Sequence, residues 1–342
     1  MTAPIATHAA VHCPVCGADG AVLYEGLRDR MFGAPGEWRY RRCGSCGLIW
    51  QDPLVTETDV GRLYATYYTH TGPEDRGNSL VRRLYKAAQR GYLASRYGYP
   101  ADQGASRVGG WLLGLHPGRR ADADFRAMYV PASAGGRLLD VGCGHGAILA
   151  DLHDLGWDVQ GIEPDPVAAG VARGRGLRVA EGGLFTADVS LGSADVVVMS
   201  HVIEHLHHPI DALRRCHALL APGGTLVAIT PNNESHGHAV FGRHWRGLEP
   251  PRHLQVFSRA SLGEAARRAG FAHVEVDVTI RGARGIYDAS RAIRAAEAGQ
   301  GLAQVPAPTV GAELWQAAEW CRTLWRAEAG EELVLRARRG AA

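Results

Sequence analysis

The segment LLDVGCGHG, residues 138–146, joins an apolar run to a loop in which every second residue is glycine. Glycine lets the backbone approach a ligand closely, so a strand that ends in Asp140 and runs through Gly142, Gly144 and Gly146 into a helix predicts a ligand-binding loop. The same spacing also satisfies the dinucleotide-binding fingerprint. On spacing alone, both cofactor classes therefore stay open.

The charge of Asp140 separates these two alternatives. A pyrophosphate at a helix N-terminus disfavours a neighbouring carboxylate, whereas S-adenosylmethionine has no phosphate and brings an ammonium and a sulfonium that a carboxylate attracts. The next predicted strand ends at Glu163, whose carboxylate can accept both ribose hydroxyls of an adenosine in either cofactor. Asp140 therefore favours S-adenosylmethionine.

Short apolar runs alternate with helical stretches after Pro131. Predicted strands cover 137–141, 159–162, 177–180, 194–199, 225–229, 273–278 and 332–336, and predicted helices cover 148–155, 210–220, 288–298 and 312–327, with a turn at 222–224. This alternation predicts an α/β fold with a doubly wound parallel sheet. In such a sheet the ligand lies at the carboxyl ends of the first strands, where the glycine loop falls.

Four of the seven cysteines form two closely spaced pairs, namely Cys13 with Cys16 and Cys43 with Cys46. A two-residue gap lets both thiolates of a tight turn point at one ion, and Gly17 and Gly47 allow the backbone to fold back behind each pair. Four thiolates predict a closed, structural Zn²⁺ site with no open position for water. Disulfides are the weaker alternative, because residues 1–10 lack the features of a secretion signal.

Changes in composition divide the chain into three predicted parts. Residues 1–52 form a small zinc-binding ribbon, and residues 131–342 form the α/β domain with a helical insertion at about 285–328. Between them, residues 53–130 form a helical connector or lid. There, Tyr67 and Tyr68 precede apolar residues at helical spacing from Leu80 to Tyr92.

Charge and hydropathy narrow the class of protein. With 37 basic and 35 acidic side chains among 342 residues, the formal net charge is +2. Because affinity for nucleic acid comes mainly from neutralising phosphates, nucleic acid is not the expected partner. No apolar run approaches the ~18 residues that a membrane span needs. We therefore expect a cytoplasmic protein with no membrane partner.

The motifs together resemble those of the class I S-adenosylmethionine-dependent methyltransferases. The likeness runs from about residue 137 to residue 278 through five segments in order, which are 140–146, 161–163, 195–198, 201–205 and 222–224. The paired cysteines, together with 63–68, 241–245 and 251–258, are similar to bacterial methyltransferases that carry an N-terminal zinc-binding segment. The resemblance implies a Rossmann-like methyltransferase sheet.

The resemblance also implies roles for individual residues of the cofactor site. The methionine end of the cofactor would be held by Asp140, Gly142, Cys143, Gly144 and Gly146. Glu163 would hold the ribose, and Glu181 with Gly182 would contact the adenine, for which Asp188 is an alternative. His201 would flank the cofactor and face the acceptor.

Methyl transfer depends mostly on positioning and desolvation, and a base is needed only where the acceptor must lose a proton. The candidate catalytic residues are His201, Glu204, His205 and His253, with His236 and His244 as further candidate bases. The alternative for Glu204 and His205 is that they order the following helix, and His253 could instead be a packed residue at a strand entry. Arg243 and Arg252 could bind a phosphate or carboxylate of the acceptor.

The function expected from these features is methyl transfer to an oxygen, nitrogen or carbon atom of a small molecule, in specialised-metabolite or sugar biosynthesis. One alternative is an RNA or protein methyltransferase in which the zinc module recognises the macromolecule, with Arg39, Arg41 and Arg42 as its basic residues. A less favoured alternative is an NAD(P)-dependent oxidoreductase. A small-molecule acceptor is expected, and it would be anionic if Arg243 and Arg252 bind it. The helical insertion could cover the pocket or form the face of a homodimer, and the sequence does not choose between these two roles.

Overall fold

A computed structural model of the chain describes residues 5–64, 79–101, 104–133, 135–299 and 301–341. The strands are β1 (Thr7–His8), β2 (Gly20–Leu27), β3 (Trp38–Cys43), β4 (Ile49–Gln51), β5 (Leu54–Val55), β6 (Arg137–Val141), β7 (Asp158–Glu163), β8 (Val179–Glu181), β9 (Ala194–Ser200), β10 (Leu220–Pro231), β11 (Gln255–Val256), β12 (His273–Thr279) and β13 (Glu332–Arg338). The helices are α1 (Glu57–Val60), α2 (Leu80–Tyr97), α3 (Arg107–Leu115), α4 (Pro117–Arg126), α5 (Ala147–Asp154), α6 (Pro166–Gly174), α7 (Pro209–Leu219), α8 (His236–Phe241), α9 (Arg259–Arg268), α10 (Ala283–Gly299) and α11 (Val310–Thr323).

Seven strands form the larger sheet, in the order β12-β13-β10-β9-β6-β7-β8. Strand β6 pairs in parallel with both β7 and β9, and β7 pairs in parallel with β8. The chain therefore builds outward from β6 through β7 and β8, then returns to place β9 on the other side of β6. This arrangement confirms the predicted doubly wound α/β sheet, with a switch point between β6 and β9.

Local sequence explains the elements around this switch point. Strands β6 and β9 are nearly continuous apolar runs, as expected for parallel strands covered on both faces. Helix α5 begins directly after Gly146, which has a φ of 80°. Helix α6 begins with Pro166 after Asp165, whose side chain accepts the Val167 N–H at 2.8 Å.

A second, four-stranded sheet has the order β11-β4-β3-β2 and is antiparallel throughout. The first three of its strands in chain order lie close to the paired cysteines, which confirms the small N-terminal ribbon. Strand β11 comes from a distant part of the chain and pairs Gln255 with Trp50. Trp38, Tyr40 and Ile49 are buried in an apolar cluster on this sheet.

The chain divides into two compact units by its internal contacts. One unit comprises residues 1–67, 200–217 and 228–337, and the other comprises 68–199, 218–227 and 338–342. In this division the cysteine-bearing segment groups with the C-terminal third of the chain. The three-part domain division of the sequence analysis stays a prediction.

The predicted helix that begins at Leu80 is confirmed as α2, but its apolar spacing does not mark a uniformly buried face. Tyr92 is buried, whereas Leu80 and Leu84 are exposed. Tyr67 and Tyr68 lie outside the described residues. No helix in the described part of the chain combines the length and the apolar character that crossing a membrane requires.

Two sequence predictions need correction in detail. Residues 222–224 were expected to form a turn before a strand, but they lie within β10, where Gly223 takes a φ of 76°. The sequence predicts an apolar stripe along the helix at 312–327, formed by Leu314, Trp315, Ala318, Cys321 and Trp325. Helix α11 instead buries Gln316 and Glu319 and exposes Leu314. Gln316 can be buried because its side-chain N–H donates a hydrogen bond to the Ile280 carbonyl at 2.9 Å. The homodimer stays a prediction.

Candidate functional site

Three acidic residues of the predicted cofactor site lie at the same edge of the larger sheet. Asp140 is next to last in β6, and Glu163 and Glu181 end β7 and β8. The parallel register pairs Asp140 with Gly161 and Glu163 with Glu181. Because the carboxyl ends of parallel strands meet at one edge, this is where the switch-point rule expects a ligand.

The loop between β6 and α5 depends on its glycines. Gly142, Gly144 and Gly146 have φ values of 72°, 54° and 80°, a region that residues with a Cβ rarely adopt. A Cβ on Gly146 would also lie 2.6 Å from Cδ1 of Leu177. By contrast, a Cβ on Gly144 would meet no atom within 4 Å. The Cβ on Gly146 would also lie 3.0 Å from Cβ of Ala172 in α6, so the loop packs tightly on α6 and the residues after it at its end and leaves open space at its middle.

Glu163 fixes this loop from the neighbouring strand. Its Oε2 accepts the Gly144 N–H at 2.8 Å and its Oε1 accepts the Asp165 N–H at 2.9 Å. Burial raises the pKa of Glu163, and the two backbone donors partly offset this effect. A carboxylate oxygen has two lone pairs, so each oxygen can still accept a ribose hydroxyl.

Asp140 is buried without a full set of partners. Its side chain is 1% exposed, and none of the described residues supplies a hydrogen-bond partner to its Oδ2. Burial, and secondarily the nearby charge of Glu163, raise the pKa of Asp140 to about 8. Buried polar atoms in native proteins are nearly always satisfied, so this oxygen points to a partner that binds from outside the chain.

The remaining predicted cofactor residues lie around the same loop. Cys143 is buried, and burial, followed by Asp140 and Glu163, raises its thiol pKa. Gly182 donates its N–H to the Glu163 carbonyl at 3.0 Å. Glu181 is exposed and forms an ion pair with Arg173 at 3.3 Å. These adenine contacts stay predictions.

The other compact unit contains a separate polar cluster around His201. His201 Nδ1 lies 3.2 Å from Glu204 Oε1, and His201 Nε2 lies 3.1 Å from Glu332 Oε1. Burial alone would lower the pKa of His201, but the hydrogen bonds to both carboxylates outweigh it and raise the pKa to about 10. Burial opposes the charge on Glu204, yet the bond to His201 lowers its pKa to about 2. At neutral pH His201 therefore carries a proton and is poorly suited to act as a general base.

His205 and His253 lie beside Glu204 with their rings in edge-to-face contact, 4.8 Å between centroids. His205 Nδ1 lies 3.0 Å from the carbonyl oxygen of Arg252, and His253 Nδ1 lies 2.8 Å from that of Gly247. Burial lowers the pKa of His253 to about 4, against the opposing effect of Glu249. His253 is therefore neutral at physiological pH, but its side chain is almost fully buried.

The four paired cysteines converge on one point. The Sγ atoms of Cys13 and Cys46 are 3.6 Å apart, those of Cys16 and Cys43 are 3.4 Å apart, and all four cysteines are free thiols. Zn–S bonds of about 2.3 Å in a tetrahedron place the sulfur atoms about 3.8 Å apart. The donor set therefore fits zinc. As expected, each pair is closed by a glycine: Gly17 and Gly47 take φ values of 79° and 75°.

Comparisons with known proteins agree with this geometry. Residues 118–276 match the family described as "Methyltransferase domain". Residues 118–276 therefore form a methyltransferase domain. The match covers the glycine loop, both buried carboxyl groups at the sheet edge, and the His201 cluster up to His253, so these features lie within the methyltransferase domain.

Relatives in other organisms are similar over part of their length. A ubiquinone biosynthesis O-methyltransferase from Cereibacter sphaeroides is 37% identical over 120 residues, which are 32% of this chain and 47% of that protein. One of the same description from Pseudomonas aeruginosa is 31% identical over 153 residues, 40% of this chain and 65% of that protein. The chain thus spans about half to two thirds of the relatives it matches. A Thermotoga maritima structure described as a methyltransferase, possibly acting on histamine, has 20% identity and a TM-score of 0.44, and covers 73% of this chain and 99% of that one.

The structure places the predicted residues of the methyltransferase domain in two groups. Asp140, the glycine loop, Glu163 and Glu181 belong to one compact unit, and His201, Glu204, His205 and His253 belong to the other. Each group is brought together within its own unit. The placement of His201 beside the cofactor stays a prediction.

Sequence reasoning missed the partners that complete the second group. Glu332 accepts from His201, and Thr230 donates its hydroxyl to Glu204 Oε2 at 2.9 Å. Glu332 begins a strand 131 residues after His201, so no spacing rule connects the two. Thr230 lies near the end of β10 and is a single polar residue after an apolar run. That pattern was the only signal in the sequence that could have indicated a role for Thr230.

Among the other candidate residues, Arg252 has a different environment from the one expected. Its side chain is 1% exposed, and it pairs with Asp29 at 2.8 Å and with Glu249 at 3.0 Å. The Arg252 guanidinium therefore binds carboxylates of the protein itself, in place of the acceptor group that the sequence suggested. His244 pairs with Glu297 at 2.5 Å, and His236 stacks on Trp315.

Proposed function

We propose that this protein transfers a methyl group from S-adenosylmethionine to a hydroxyl oxygen of a small molecule. The observation that carries the cofactor assignment is Asp140, a buried carboxyl group whose Oδ2 finds no partner among the described residues, beside an open glycine loop. The ammonium group of the cofactor would supply that partner. The choice of oxygen is supported by the relatives described as O-methyltransferases.

The two alternatives, a nicotinamide-dependent oxidoreductase and an RNA methyltransferase, have weaker support than this proposal. In a nicotinamide-dependent enzyme the dinucleotide phosphates would lie near Asp140, which adds repulsion. For an RNA methyltransferase, the basic cluster before Cys43 would have to face a polyanion. However, Arg39 and Arg41 both pair with the buried Asp52, at 3.1 and 2.6 Å, and Arg39 also pairs with Glu25 at 3.7 Å, so the two charges are compensated within the protein.

For the four cysteines we propose a structural Zn²⁺ ion. Four thiolates complete a tetrahedral shell, so the ion would hold the two turns together and would take no part in the chemistry. This assignment requires reduced thiols. We therefore propose a cytoplasmic location, since that compartment keeps cysteines reduced.

Calorimetric titration of the purified chain with S-adenosylhomocysteine, and separately with NAD and NADP, tests the cofactor assignment. We expect saturable binding of S-adenosylhomocysteine with one site per chain, and no binding of either dinucleotide. Binding of NAD or NADP alone would refute the proposal. The glycine loop would then be a pyrophosphate site.

An anionic acceptor would find a suitable cavity in the unit that contains residues 1–67 and 228–337. This cavity has a volume of about 510 Å³, and Arg28, Arg30, Arg243 and Arg246 line it. The charge of Arg28 is compensated by Glu37, that of Arg243 by Glu297, and that of Arg246 by Glu249. Arg30 makes no ion pair with any described residue. We propose Arg30 as the group that binds an acceptor carboxylate or phosphate.

Replacing Arg30 by alanine should selectively weaken binding of an anionic acceptor. Protocatechuate and catechol differ by one carboxylate, so calorimetry with this pair isolates the charge. We expect about tenfold weaker protocatechuate binding in Arg30→Ala, the size of one charged hydrogen bond, with catechol binding unchanged. The matched control is Arg28→Ala, because the Arg28 charge is already paired with Glu37. Equal losses for both ligands, or for both variants, would contradict this assignment.

A further inference from the structure

Three side chains of metal-ligating types converge near His201. They are Glu204, His205 and His253, and one ligand atom from each lies within 4.8 Å of the other two. Glu204 and His253 are buried, and His205 is half-buried. Within the described residues, the only other group of this kind is the four-cysteine cluster. The two sites differ in chemistry, since one offers four sulfur atoms and the other offers nitrogen and oxygen.

Backbone contacts orient both imidazole rings. A carbonyl oxygen can only accept a hydrogen bond, so the Nδ1 atoms that face the Arg252 and Gly247 carbonyls must carry the hydrogen. When either ring is neutral, its lone pair is therefore on Nε2. Metal-binding histidines are typically held in this way, with one ring nitrogen donating to a carbonyl and the other facing the ion.

Glu204 is held by a comparable set of contacts. Its side chain is fully buried, Thr230 donates to Oε2 at 2.9 Å, and His201 donates to Oε1. On the opposite side, His253 Nε2 lies 3.3 Å from Glu249 Oε2. Because Glu249 is itself paired with Arg246 and Arg252, Glu204 is the carboxylate that this group offers to an ion.

We propose that Glu204, His205 and His253 bind a divalent first-row transition-metal ion. Two imidazole nitrogens and one carboxylate are the donor set found in open zinc and iron sites, which leave positions for water or substrate. The role of the ion rests on the proposed O-methylation: a hydroxyl bound to the ion would have a lower pKa and would release its proton more readily. Binding of the ion itself does not depend on that function.

Zinc stoichiometry tests this site. The full chain is incubated with excess Zn²⁺, passed through a desalting column, and analysed for metal by plasma mass spectrometry. We expect two zinc ions per chain in the wild type and one in His205→Ala, a half-buried position where the substitution should be tolerated. His208→Ala is the matched control, because His208 is exposed on the same segment, and it should retain two.

Cobalt provides a second readout that does not depend on a variant. When Co²⁺ replaces zinc, the ion at the cysteines gives an intense thiolate charge-transfer band, and the proposed second ion adds ligand-field bands without one. One zinc ion per wild-type chain, or two in His205→Ala, would overturn the proposal. Titration with S-adenosylhomocysteine on the same samples separates the two hypotheses: a chain that binds it with a single zinc ion loses only the second metal site.

Discussion

Asp140→Asn is expected to weaken binding of S-adenosylhomocysteine by about 2–5 kcal/mol, or about 30-fold to several thousandfold, the usual effect of removing one member of a buried charge pair. Asparagine preserves the shape of the side chain at the end of β6 and removes the charge. The buried Oδ2 of Asp140 would then no longer offer a negative partner to the ligand ammonium.

Asp195→Asn is the matched control for this experiment. Asp195 stands near the start of β9, and its exposed carboxylate pairs with Arg137 at 2.8 Å. Surface pairs of this kind contribute little, so we expect ligand affinity to stay within a factor of about two. Calorimetry on both variants measures the difference. Equal affinities in Asp140→Asn and the wild type would show that Asp140 does not contact the ligand.

The pH dependence of binding follows from the same residue. Burial, and then Glu163, raise the pKa of Asp140 to about 8, so the ligand-free protein holds it mostly protonated at neutral pH. An ammonium group binds the ionised form, and binding should therefore release a proton and strengthen up to about tenfold per pH unit between about pH 6 and pH 8. Calorimetry in buffers of different ionisation enthalpy measures this proton. Asp140→Asn should abolish it, and a flat profile in the wild type would contradict the assignment.

The stability of the ligand-free protein should change with pH in the opposite direction. A carboxyl group whose pKa is raised on folding binds its proton more tightly in the folded state. Its contribution to the free energy of unfolding is therefore complete below its unfolded pKa of about 3.9 and is lost as the pH rises through the folded value. Ligand binding is thus favoured by the ionised form of Asp140, whereas the stability of the ligand-free protein is favoured by the protonated form.

The sequence predicted the features that arise from neighbouring residues. The glycine loop, the strand that precedes it and the two cysteine turns each fit within a few positions, where backbone conformation is locally determined. The positions of Asp140 and Glu163 could also be predicted, because parallel strands bring their carboxyl ends to one edge of the sheet. Their protonation states could not be predicted from the sequence, since these depend on burial.

Features that depend on distant residues were not predicted. Glu332 reaches His201 from a strand near the end of the chain, and Arg252 is paired by Asp29, 223 residues away. The apolar spacing of α11 was misleading, because the face that packs is the one whose Gln316 hydrogen bonds to the Ile280 carbonyl. Apolar periodicity identifies a helix but does not determine which face is buried when polar side chains find buried partners.

Cys13→Ser is expected to destabilise the compact unit that contains the cysteines, and not only the two cysteine turns. The turns are hydrogen-bonded to distant segments of the same unit: Ser258 donates to the Cys46 carbonyl at 2.7 Å, Asn233 donates to the Gly47 carbonyl at 2.9 Å, and Arg268 donates to the Val15 carbonyl at 2.7 Å. Loss of the ion would release both turns and these three bonds together.

The magnitude should be comparable with the whole stability of a domain. Structural zinc contributes about 10–16 kcal/mol in small zinc-binding peptides, against a typical domain stability of about 5–15 kcal/mol. We therefore expect Cys13→Ser, or a strong chelator added to the wild type, to unfold the unit containing residues 1–67 well below the normal melting temperature. Thermal unfolding followed by circular dichroism, with a colorimetric zinc-release assay, measures both events. Cys321→Ser is the matched control, since Cys321 is exposed and lies outside the cluster. If Cys13→Ser melted with the control, the four cysteines would not carry a structural ion.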